Sequence, residues 1–519
     1  MRIGIDVGGT NTDAVLLDGR RVVAWYKEPT SDDVTAGITG AIRGVLRAAG
    51  CGPAAVRAVM IGTTHFANAV VERRLEPVGI IRIGLPATAA LPPLIDWPRD
   101  LAACVGDHVY LVRGGHEYDG RPIAPLDEAA LREAGHRLRR AGIRAAAVTA
   151  VFSPVDPSAE RRALAILREV HPELRVTLSH EIGRLGLLER ENATVLNASL
   201  TGLAGRLVAG FGRALEELGL ACPFYFTQND GTLMDASQLE RFPVRTVSSG
   251  PTNSMRGAAF LSGLRDAVVV DIGGTTTDVG VLVRGFPRPA AASVEVGGVR
   301  TNFPMPDVLS VGLGGGSYVR EEPLAIGPRS AGYRIREEAR VFGGDRLTAT
   351  DLVVAAGRAK VGDRRRVLGL PGDLVRKGLE RIDQILAEAV DRVKTSADPV
   401  PVIAVGGGSI LMPDRLPGAA EVVRPEHFAV ANAVGAAIAQ VGGEVDRVVS
   451  LEGTTRERAL AAVREEAVER ALAAGARPGT VDIVDQDEVA LAYLPGNAVR
   501  LRVKAVGDLA LERAGGGGM

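Results

Sequence analysis

The sequence is short of the residues that several classes of protein require. It has only three cysteines in 519 residues, with no Cys-x-x-Cys pair, which argues against disulfides, iron–sulfur clusters and zinc, and favours a reducing, cytoplasmic location. Aromatic residues make up 4% of the chain and the net charge is −1, so no nucleic-acid or membrane-surface partner is expected. No apolar run approaches the length of a membrane span, and no signal peptide is recognised. The length predicts two or three domains.

Common catalytic signatures are also missing. None of the seven histidines belongs to an H-E-x-x-H motif, and there is no G-x-S-x-G nucleophile turn. The adjacent His180 and Glu181 follow a predicted strand. They mark either the edge of an active site or, as we favour, a histidine with an ordinary structural role. Because no covalent nucleophile is indicated, the favoured chemistry is phosphoryl transfer through positioning and a metal ion.

What the sequence does contain is one short motif that occurs twice. Residues 3–17 are IGIDVGGTNTDAVLL and residues 268–282 are VVVDIGGTTTDVGVL, aligned at one constant offset. Each copy predicts a buried strand, an Asp, a glycine turn with hydroxyls, and a second strand. Glycine lets backbone N–H groups approach an anion closely, and the carboxylate can hold a divalent ion. Two such hairpins in duplicated domains would grip a nucleotide's phosphates from both sides, whereas neither copy fits a P-loop or a dinucleotide fingerprint.

The hairpins supply the candidate catalytic and nucleotide-binding residues. We expect Asp6 and Asp271 to lie near Mg²⁺, through water, because Mg²⁺ keeps much of its hydration. Asp13 and Asp278 either orient the attacking oxygen or order their own hairpins, and we favour the second role. The residues predicted to line the phosphates of ATP are Gly8, Gly9, Thr10, Asn11, Gly273, Gly274, Thr275 and Thr276.

Two further glycine loops follow the second hairpin, each at the end of an apolar run. The first loop is a candidate for β- or γ-phosphate contacts. The second is a candidate for the adenosine, since bare backbone lets a flat base or sugar lie close, although a tight strand–helix turn is the structural alternative. The cofactor-binding candidates in these loops are Gly314, Gly315, Gly316, Gly406, Gly407, Gly408 and Ser409.

A glycine–threonine turn in the first half is the candidate substrate site. It ends a predicted strand and opens a predicted helix, so its hydroxyls and N–H groups converge on one spot. We expect Thr63, Thr64 and His65 to line the acceptor pocket, with Asn68 and Arg73 supporting the helix. The alternative, held equal at this turn, is that Thr63 or Thr64 only caps the helix.

Strand and helix signals alternate along most of the chain. Three strands with glycine turns open it, and the alternation that follows to about residue 180 predicts mixed or parallel sheets covered by helices. Residues 189–218 form one long helical pattern, and a hairpin is predicted around residues 229–231. From about residue 445 the pattern is strand, helix, strand, strand, which predicts a small C-terminal α+β unit. The glycine-rich residues 514–519 are expected to be disordered.

Together these motifs resemble the hydantoinase A/5-oxoprolinase family, within the superfamily of actin, sugar kinases and heat-shock-chaperone ATPases. The family resemblance covers residues 1 to about 440. Besides the two hairpins, the segments that carry it are IGTTHFANAVVER (61–73), SHEIGRLGLLERENATVLNASL (179–200), FTQNDGTLM (226–234), VRTVSSGPTNSMRGAAFL (244–261), VGLGGGSYV (311–319) and AIGPRSAG (325–332).

The resemblance implies an α/β fold with two lobes, duplicated ribonuclease-H-like cores, and ATP in the cleft between them. The expected segments are an N-terminal lobe at 1–180, a core with the second hairpin at 181–440, the α+β unit at 441–513, and the tail at 514–519. The implied activity is a cytoplasmic ATP-dependent hydrolase that phosphorylates a cyclic amide or related carbonyl for ring opening. A B-type hydantoinase subunit is the implied partner, and a homo-oligomer stays open.

Other functions would use the same cleft. A small-molecule kinase or an ATP-dependent carboxylase component would phosphorylate a different acceptor. A non-enzymatic actin-like or chaperone-like ATPase is a third alternative, against which the short C-terminal unit shows no obvious peptide-binding sheet. The chain also departs from the family after residue 332, where YRIREEARVFGG replaces the usual P-G-P-A-C-Y-G.

Overall fold

The computed structural model describes residues 1–8, 11–29, 34–291, 293–491 and 497–511. Gly9 and Thr10 of the first hairpin, and the tail expected to be disordered at 514–519, lie outside the described residues. The strands are β1 (Arg2–Val7), β2 (Asn11–Asp18), β3 (Arg21–Pro29), β4 (Ala58–Thr63), β5 (Gly79–Leu85), β6 (Val109–Arg113), β7 (Ala145–Ala150), β8 (Arg175–Leu178), β9 (Phe224–Thr227), β10 (Thr232–Asp235), β11 (Ala267–Ile272), β12 (Thr277–Val283), β13 (Phe286–Pro287), β14 (Val294–Val296), β15 (Val299–Thr301), β16 (Val308–Val311), β17 (Ser317–Arg320), β18 (Ala325–Ser330), β19 (Val400–Val405), β20 (Ala419–Val423), β21 (Gln440–Val449), β22 (Asp482–Ala490) and β23 (Val499–Gly507). The α-helices are α1 (Val34–Ala49), α2 (His65–Val71), α3 (Arg99–Val105), α4 (Glu128–Arg140), α5 (Ser158–Val170), α6 (Leu187–Glu217), α7 (Ala236–Arg241), α8 (Ser249–Ser262), α9 (Ile335–Glu338), α10 (Ala349–Ala355), α11 (Gly372–Val393), α12 (Ala431–Ala437) and α13 (Arg456–Ala473).

The largest sheet has nine strands in the order β22-β23-β21-β10-β9-β4-β1-β2-β3. Within it, β1, β2 and β3 form the predicted antiparallel meander, and β4 and β9 follow on the other side, parallel to β1. The central strand β1 is buried on both faces. Ile3 and Ile5 join the core under α1 and α6, while Gly4 lies against the backbone of α12. Five of these strands, β3-β2-β1-β4-β9, make the ribonuclease-H-like core.

A second sheet repeats this arrangement around the second hairpin. β11 pairs antiparallel with β12 and parallel with β19, and β20 follows parallel to β19. The outer side of β12 is occupied by β13 and β16, where β3 lies in the first core. The predicted α/β fold with two ribonuclease-H-like cores is therefore confirmed.

A smaller parallel sheet interrupts the first core between β4 and β9. Its strands lie in the order β6-β5-β7-β8, and all are parallel. Ile81 and Ile83 face α4 and α5, whereas Ile80 points the other way, into the core shared with α6. The two central strands, β5 and β7, are buried along their length and mostly apolar, which is typical of parallel sheets covered by helices on both faces. We call residues 79–178 the inserted unit.

The C-terminal elements have the predicted order of strand, helix, strand, strand, but they do not form a sheet of their own. β21 pairs parallel with β10, and β23 and β22 follow it, so these strands extend the first sheet. α13 packs on them through Val463 and Ala467. The expected boundaries at residues 180 and 440 thus cut through one continuous sheet, because β9, β10 and β21 belong to the same sheet as β1. The division into segments stays a prediction about folding units.

Two helices fill the space between the two cores. α12 packs on β1, β2 and β4 of the first sheet, and α8 packs on β11 and β19 of the second. They meet at glycines: a Cβ atom at Gly257 would lie 1.8 Å from the carbonyl oxygen of Ala431, and one at Gly435 would lie 1.8 Å from that of Asn253. The two helix backbones therefore touch, which only glycine permits at these positions.

Adding one methyl group at this crossing should be costly. Gly257→Ala should lower the free energy of unfolding by about 2 kcal/mol or more, because the new methyl group overlaps a helix backbone that cannot move cheaply. Gly205→Ala in α6 is the matched control, since space is open there, and it should be neutral or stabilising by up to about 1 kcal/mol. Denaturant unfolding measures both variants. If Gly257→Ala is as stable as the wild-type protein, the backbone contact is contradicted.

Candidate functional site

The two hairpins close their turns in the same way. The amide of Gly8 donates to the carbonyl oxygen of Asn11 at 3.0 Å, and the amide of Gly273 donates to that of Thr276 at 2.9 Å. In the strand register, Asp6 lies opposite Asp13 and Asp271 lies opposite Asp278. The repeated sequence therefore has a repeated geometry, with one inner and one outer carboxylate in each hairpin.

The carboxylate of Asp6 is buried and is bound by two amide side chains. Asn253 on α8 donates to Oδ1 at 3.0 Å, and Asn432 on α12 donates to Oδ2 at 3.1 Å. Burial raises the pKa of Asp6 to about 6, against these hydrogen bonds, which lower it. Neither partner carries a positive charge, so the negative charge of Asp6 is not neutralised by its nearest neighbours.

Asp271 has a similar environment in the second core. Burial raises its pKa to about 7, a hydrogen bond from Ser254 lowers it, and the charges of Asp278 and Asp6 raise it further. The two inner aspartates are therefore close enough to repel each other. Asn253 and Ser254 are consecutive residues of α8, so this one helix contacts the inner carboxylates of both cores.

The two outer aspartates bind the strand beside their own hairpin. Asp13 is paired with Lys27 on β3, whose Nζ lies 2.7 Å from Oδ2. Asp278 accepts a hydrogen bond from Ser310 on β16, and burial raises its pKa. Both contacts join neighbouring strands, which agrees with the favoured role of ordering the hairpin.

Both predicted glycine loops gather on the second hairpin. The amides of Gly315 and Gly316 donate to the carbonyl oxygens of Gly273 and Gly274 at 3.0 and 2.8 Å. The amide of Gly408 donates to the carbonyl oxygen of Ile272 at 2.7 Å. The structure thus brings together the residues predicted there, which are Gly273, Gly274, Thr275, Thr276, Gly314, Gly315, Gly316, Gly406, Gly407, Gly408 and Ser409.

Two features of the last loop suit a bound ligand. Space is open around the Cα of Gly407, whose backbone is exposed. The hydroxyl of Ser409 is buried and has no hydrogen-bond partner within the described part of the chain. A buried polar atom without a partner is uncommon in a folded protein, and a bound group that supplies a hydrogen bond explains it.

The predicted substrate turn occupies the matching place in the first core. A Cβ atom at Gly62 would lie 2.4 Å from Oδ1 of Asp6, just as one at Gly406 would lie 2.2 Å from Oδ1 of Asp271. The turn with Thr63 and Thr64 therefore has the same position relative to Asp6 as the loop Gly406–Ser409 has relative to Asp271. The turn adjoins the cleft, on the first-core side.

The threonines of this turn have different contacts. The hydroxyl of Thr64 donates to the carbonyl oxygen of Val7 at 3.1 Å, which ties the turn to the first hairpin, and it makes no capping bond. The amide of His65, the first residue of α2, donates to the hydroxyl oxygen of Thr63 at 3.1 Å. Burial lowers the pKa of His65. Arg73 donates to the carbonyl oxygen of Val70 at the helix end, and Asn68 is exposed.

Sequence analysis did not single out Asn253, Ser254 or Asn432. The first two lie in SSGPTNSMRG (248–257), which was noted only as a family-like segment and as the start of a helix rich in small residues. Asn432 carried no signal at all. A run of small polar residues on a helix directly before the second hairpin is the one clue that could have indicated them.

A separate cavity of about 1210 Å³ lies elsewhere. Arg2 and Arg57, at or just before the amino ends of β1 and β4, help to line it, so it is at the opposite end of these strands from Asp6. Ligands of open α/β sheets bind beyond the carboxyl ends of the strands. The geometry therefore favours the cleft between the hairpins as the functional site.

Two family descriptions match the chain. That of the hydantoinase/oxoprolinase N-terminal region matches residues 2–171, and that of hydantoinase/oxoprolinase matches residues 190–393. The chain belongs to the hydantoinase/oxoprolinase family. The resemblance inferred from the motifs is thereby confirmed. Among the described residues of this family member, no helix combines the length and apolarity needed to cross a membrane.

Similar proteins include subunits of larger enzymes. The alpha subunit of caprolactamase from Pseudomonas jessenii is 29% identical over 69% of this chain and 54% of its own length. The acetophenone carboxylase gamma subunit from Aromatoleum aromaticum is 28% identical over 68% of this chain and 53% of its own length. The chain thus spans about half the length of these curated relatives.

Solved structures show the same fold. The crystal structure of ATP-dependent caprolactamase from Pseudomonas jessenii matches with a TM-score of 0.80 at 21% identity, covering 99% of this chain and 88% of that one. Nucleotide-free acetone carboxylase matches with a TM-score of 0.70 at 19% identity, covering 98% and 88%. At this level of identity the likeness concerns the fold.

The raised pKa values of the inner aspartates predict a pH-dependent stability. Because the pKa values of Asp6 and Asp271 lie above the ordinary carboxyl value, folding favours their protonated forms, and this contribution is lost as the pH rises through about 6 and 7. The free energy of unfolding of the metal-free protein should therefore fall between about pH 4 and pH 7, and each tenfold difference in proton affinity between the folded and unfolded states contributes about 1.4 kcal/mol. Asp271→Asn should remove much of that fall in denaturant titrations.

The exposed Asp391, on α11, provides the matched control. Asp391→Asn should leave the pH dependence unchanged. If the free energy of unfolding of Asp271→Asn changes with pH as steeply as that of the wild-type protein, Asp271 ionises normally in the folded state.

Proposed function

We propose that the chain binds ATP in the cleft between the two hairpins and phosphorylates the carbonyl oxygen of a cyclic amide or related compound, which prepares the ring for hydrolytic opening. The observation that carries this proposal is the pair of buried aspartates, Asp6 and Asp271, one in each repeated hairpin and both contacted by α8. Two uncompensated carboxylates beside two glycine turns are suited to a cation and a chain of phosphates.

The residues present fit Mg²⁺ held through water. Within the described ranges, no group of three or more His, Cys, Asp or Glu side chains could form an all-protein metal cage. One or two carboxylates with water and phosphate oxygens are the usual Mg²⁺ environment, and Asp6 and Asp271 supply that number. When bound, Mg²⁺ would neutralise charge on the phosphate oxygens during transfer.

The glycine loops of the second core suit the rest of the nucleotide. We assign the phosphates to the hairpin turns with Gly314–Gly316, and the adenosine to Gly406–Ser409, where open backbone and an unpaired hydroxyl are available. Thr63, Thr64 and His65, in the matching place of the first core, would then lie on the acceptor side of the γ-phosphate. Asp13 and Asp278 would hold the two hairpins in shape rather than touch the acceptor.

The relatives support an ATP-dependent activity of this family. Caprolactamase acts on a cyclic amide, by its name, and its solved structure is described as ATP-dependent. Because acetophenone carboxylase is also similar, a carboxylase component that phosphorylates a ketone is the second candidate. Both relatives are named as subunits, and this chain spans about half of each, so we propose that a B-type subunit completes the reaction.

Nucleotide binding should depend on the inner aspartates. Wild-type protein should bind Mg·ATP with micromolar-range affinity, and Asp271→Ala should weaken it at least tenfold because a carboxylate beside the metal is lost. Asp391→Ala, which removes an exposed carboxylate of the same lobe, should bind as wild type does. Isothermal titration calorimetry measures all three. Equal affinity in wild type and Asp271→Ala, or no binding to wild type, would refute the nucleotide site.

The fate of the carbonyl oxygen should separate the candidate reactions. With a lactam or hydantoin labelled by ¹⁸O at the carbonyl, the hydrolase predicts label in the released phosphate together with a ring-opened product. A simple kinase predicts a stable phosphorylated acceptor, and a carboxylase predicts phosphate release that requires a ketone and bicarbonate. Mass spectrometry of the products, with and without a B-type subunit, distinguishes them. Ring opening with unlabelled phosphate would contradict carbonyl phosphorylation.

A further inference from the structure

A polar cavity of about 470 Å³ lies between the carboxyl edge of the inserted unit and the C-terminal strands. Its volume is within the range of small-molecule sites. The side chains that matter for its chemistry are His180, Arg184, Gln228, Asp230, Glu444 and Arg470. Basic and acidic side chains thus line it together, and they come from the turns after β8 and β9, from β21 and from α13.

His180 is held by a fully buried carboxylate. Its Nδ1 lies 2.6 Å from Oε2 of Glu160, and its backbone amide donates to the same oxygen at 3.1 Å. The other oxygen of Glu160 accepts from the amide of Ala150 at 2.8 Å and from the hydroxyl of Ser179. Burial raises the pKa of Glu160, but the hydrogen bonds from His180 and Ser179 and the charge of His180 outweigh it and hold the pKa below its usual value.

This arrangement fixes the orientation of the imidazole. When the imidazole is neutral and donates from Nδ1 to Glu160, its lone pair is on Nε2, and the His180 side chain lines the cavity. The side chain is 13% exposed, and Nε2 makes no hydrogen bond to any described residue. A buried carboxylate that orients a histidine, whose second nitrogen is open to a cavity, is the geometry of a general base.

The cavity adjoins the contacts of Asp6. Gln228 directly follows Thr227, and the hydroxyl oxygen of Thr227 accepts from Asn253 at 3.0 Å. Asn253 is also the residue that binds Asp6. The cavity therefore opens on the same end of the first sheet as the inner aspartate, beside the end of β9. It also lies at the carboxyl end of β8, where parallel sheets place their ligands.

We propose that the acceptor, a small cyclic amide, binds in this cavity rather than against Thr63, Thr64 and His65, none of which lines it, and that His180 is the base that takes its N–H proton. The inference rests on the proposed function and identifies a residue for it. As the amide oxygen forms its bond to the γ-phosphorus, the bond from that phosphorus to the bridging oxygen breaks and ADP leaves. The amide proton moves to Nε2 of His180. The products are a cyclic O-phosphoimidate, with the phosphate on the former carbonyl oxygen, ADP, and an imidazolium paired with Glu160.

The charged groups around His180 come from five elements and the segments between them. Glu160 is on α5, and Arg190 on α6 reaches the same network through Ser179, to which its Nε donates at 2.9 Å. The other charged residues that line the two cavities beside His180 are Glu181, Arg184, Asp230, Arg245, Glu444, Asp446, Arg447, Glu466, Arg470 and Arg500. Glu160 is the charged group that is hydrogen-bonded to the imidazole.

His180→Asn is the discriminating variant, because the Asn amide can still donate to Glu160 while the basic nitrogen is lost. His136→Asn on α4, an exposed histidine of the same inserted unit, is the matched control. We expect His180→Asn to reduce ¹⁸O transfer from labelled amide to phosphate by about 100-fold or more, to flatten its dependence on pH, and to keep wild-type ATP affinity and melting temperature. Added imidazole should restore part of the rate.

The outcomes separate the two proposals. If wild-type protein transfers label and His180→Asn transfers it within about threefold of the same rate, the role of His180 is refuted while the proposed function stands. Loss of ATP affinity in His180→Asn to the same extent as activity would assign it a structural role instead. If wild-type protein transfers no label from any amide, the proposed function itself fails.

Discussion

The placement of α8 between Asp6 and Asp271 is the constraint on which the site depends. Consecutive residues of an α-helix point about 100° apart, so Asn253 and Ser254 can face two different cores from one turn. This works only if α8 stays at one distance from both hairpins. The direct backbone contact with α12, made possible by Gly257 and Gly435, holds it there. The closest helix contact in the fold and the candidate site are therefore parts of one arrangement.

The inner and outer aspartates have different partners in the folded chain. Lys27 neutralises Asp13, and Ser310 binds Asp278, so the outer pair stabilises the hairpins. Among the described residues, the donors to the Asp6 side chain are two neutral amides, which orient a carboxylate without cancelling its charge. Burying such a charge costs stability, as its raised pKa indicates, and a bound cation offsets that cost. The repeated motif thus combines a carboxylate that binds the neighbouring strand with one whose described donors leave its charge in place.

Short-range sequence patterns predict many of the strands and turns of this protein, but they do not predict the pairings between residues that are far apart in the sequence. The hairpins, the meander and the hairpin around residues 229–231 depend on local turn chemistry, so their glycines and strand periodicity were sufficient. The partners of Asp6 are 247 and 426 positions away, and nothing local marks them. His180 was considered with its neighbour Glu181, whereas the folded chain pairs it with Glu160, 20 residues earlier, because α5 returns to the end of β8. The extension of the first sheet by β21 is equally non-local.

The contact between α8 and α12 also affects how the two lobes can rotate relative to each other. The inner aspartates lie on one side of the contact between α8 and α12, and the arginine-lined cavity at the amino ends of the strands lies on the other, where Arg256 and Phe260 of α8 form part of its wall. A rigid contact between two such points acts as a fulcrum. If the lobes rotate about it to close on a nucleotide, the arginine-lined cavity on the far side must widen, which separates Arg2 and Arg57 of the first core from Arg265 and Arg284 of the second.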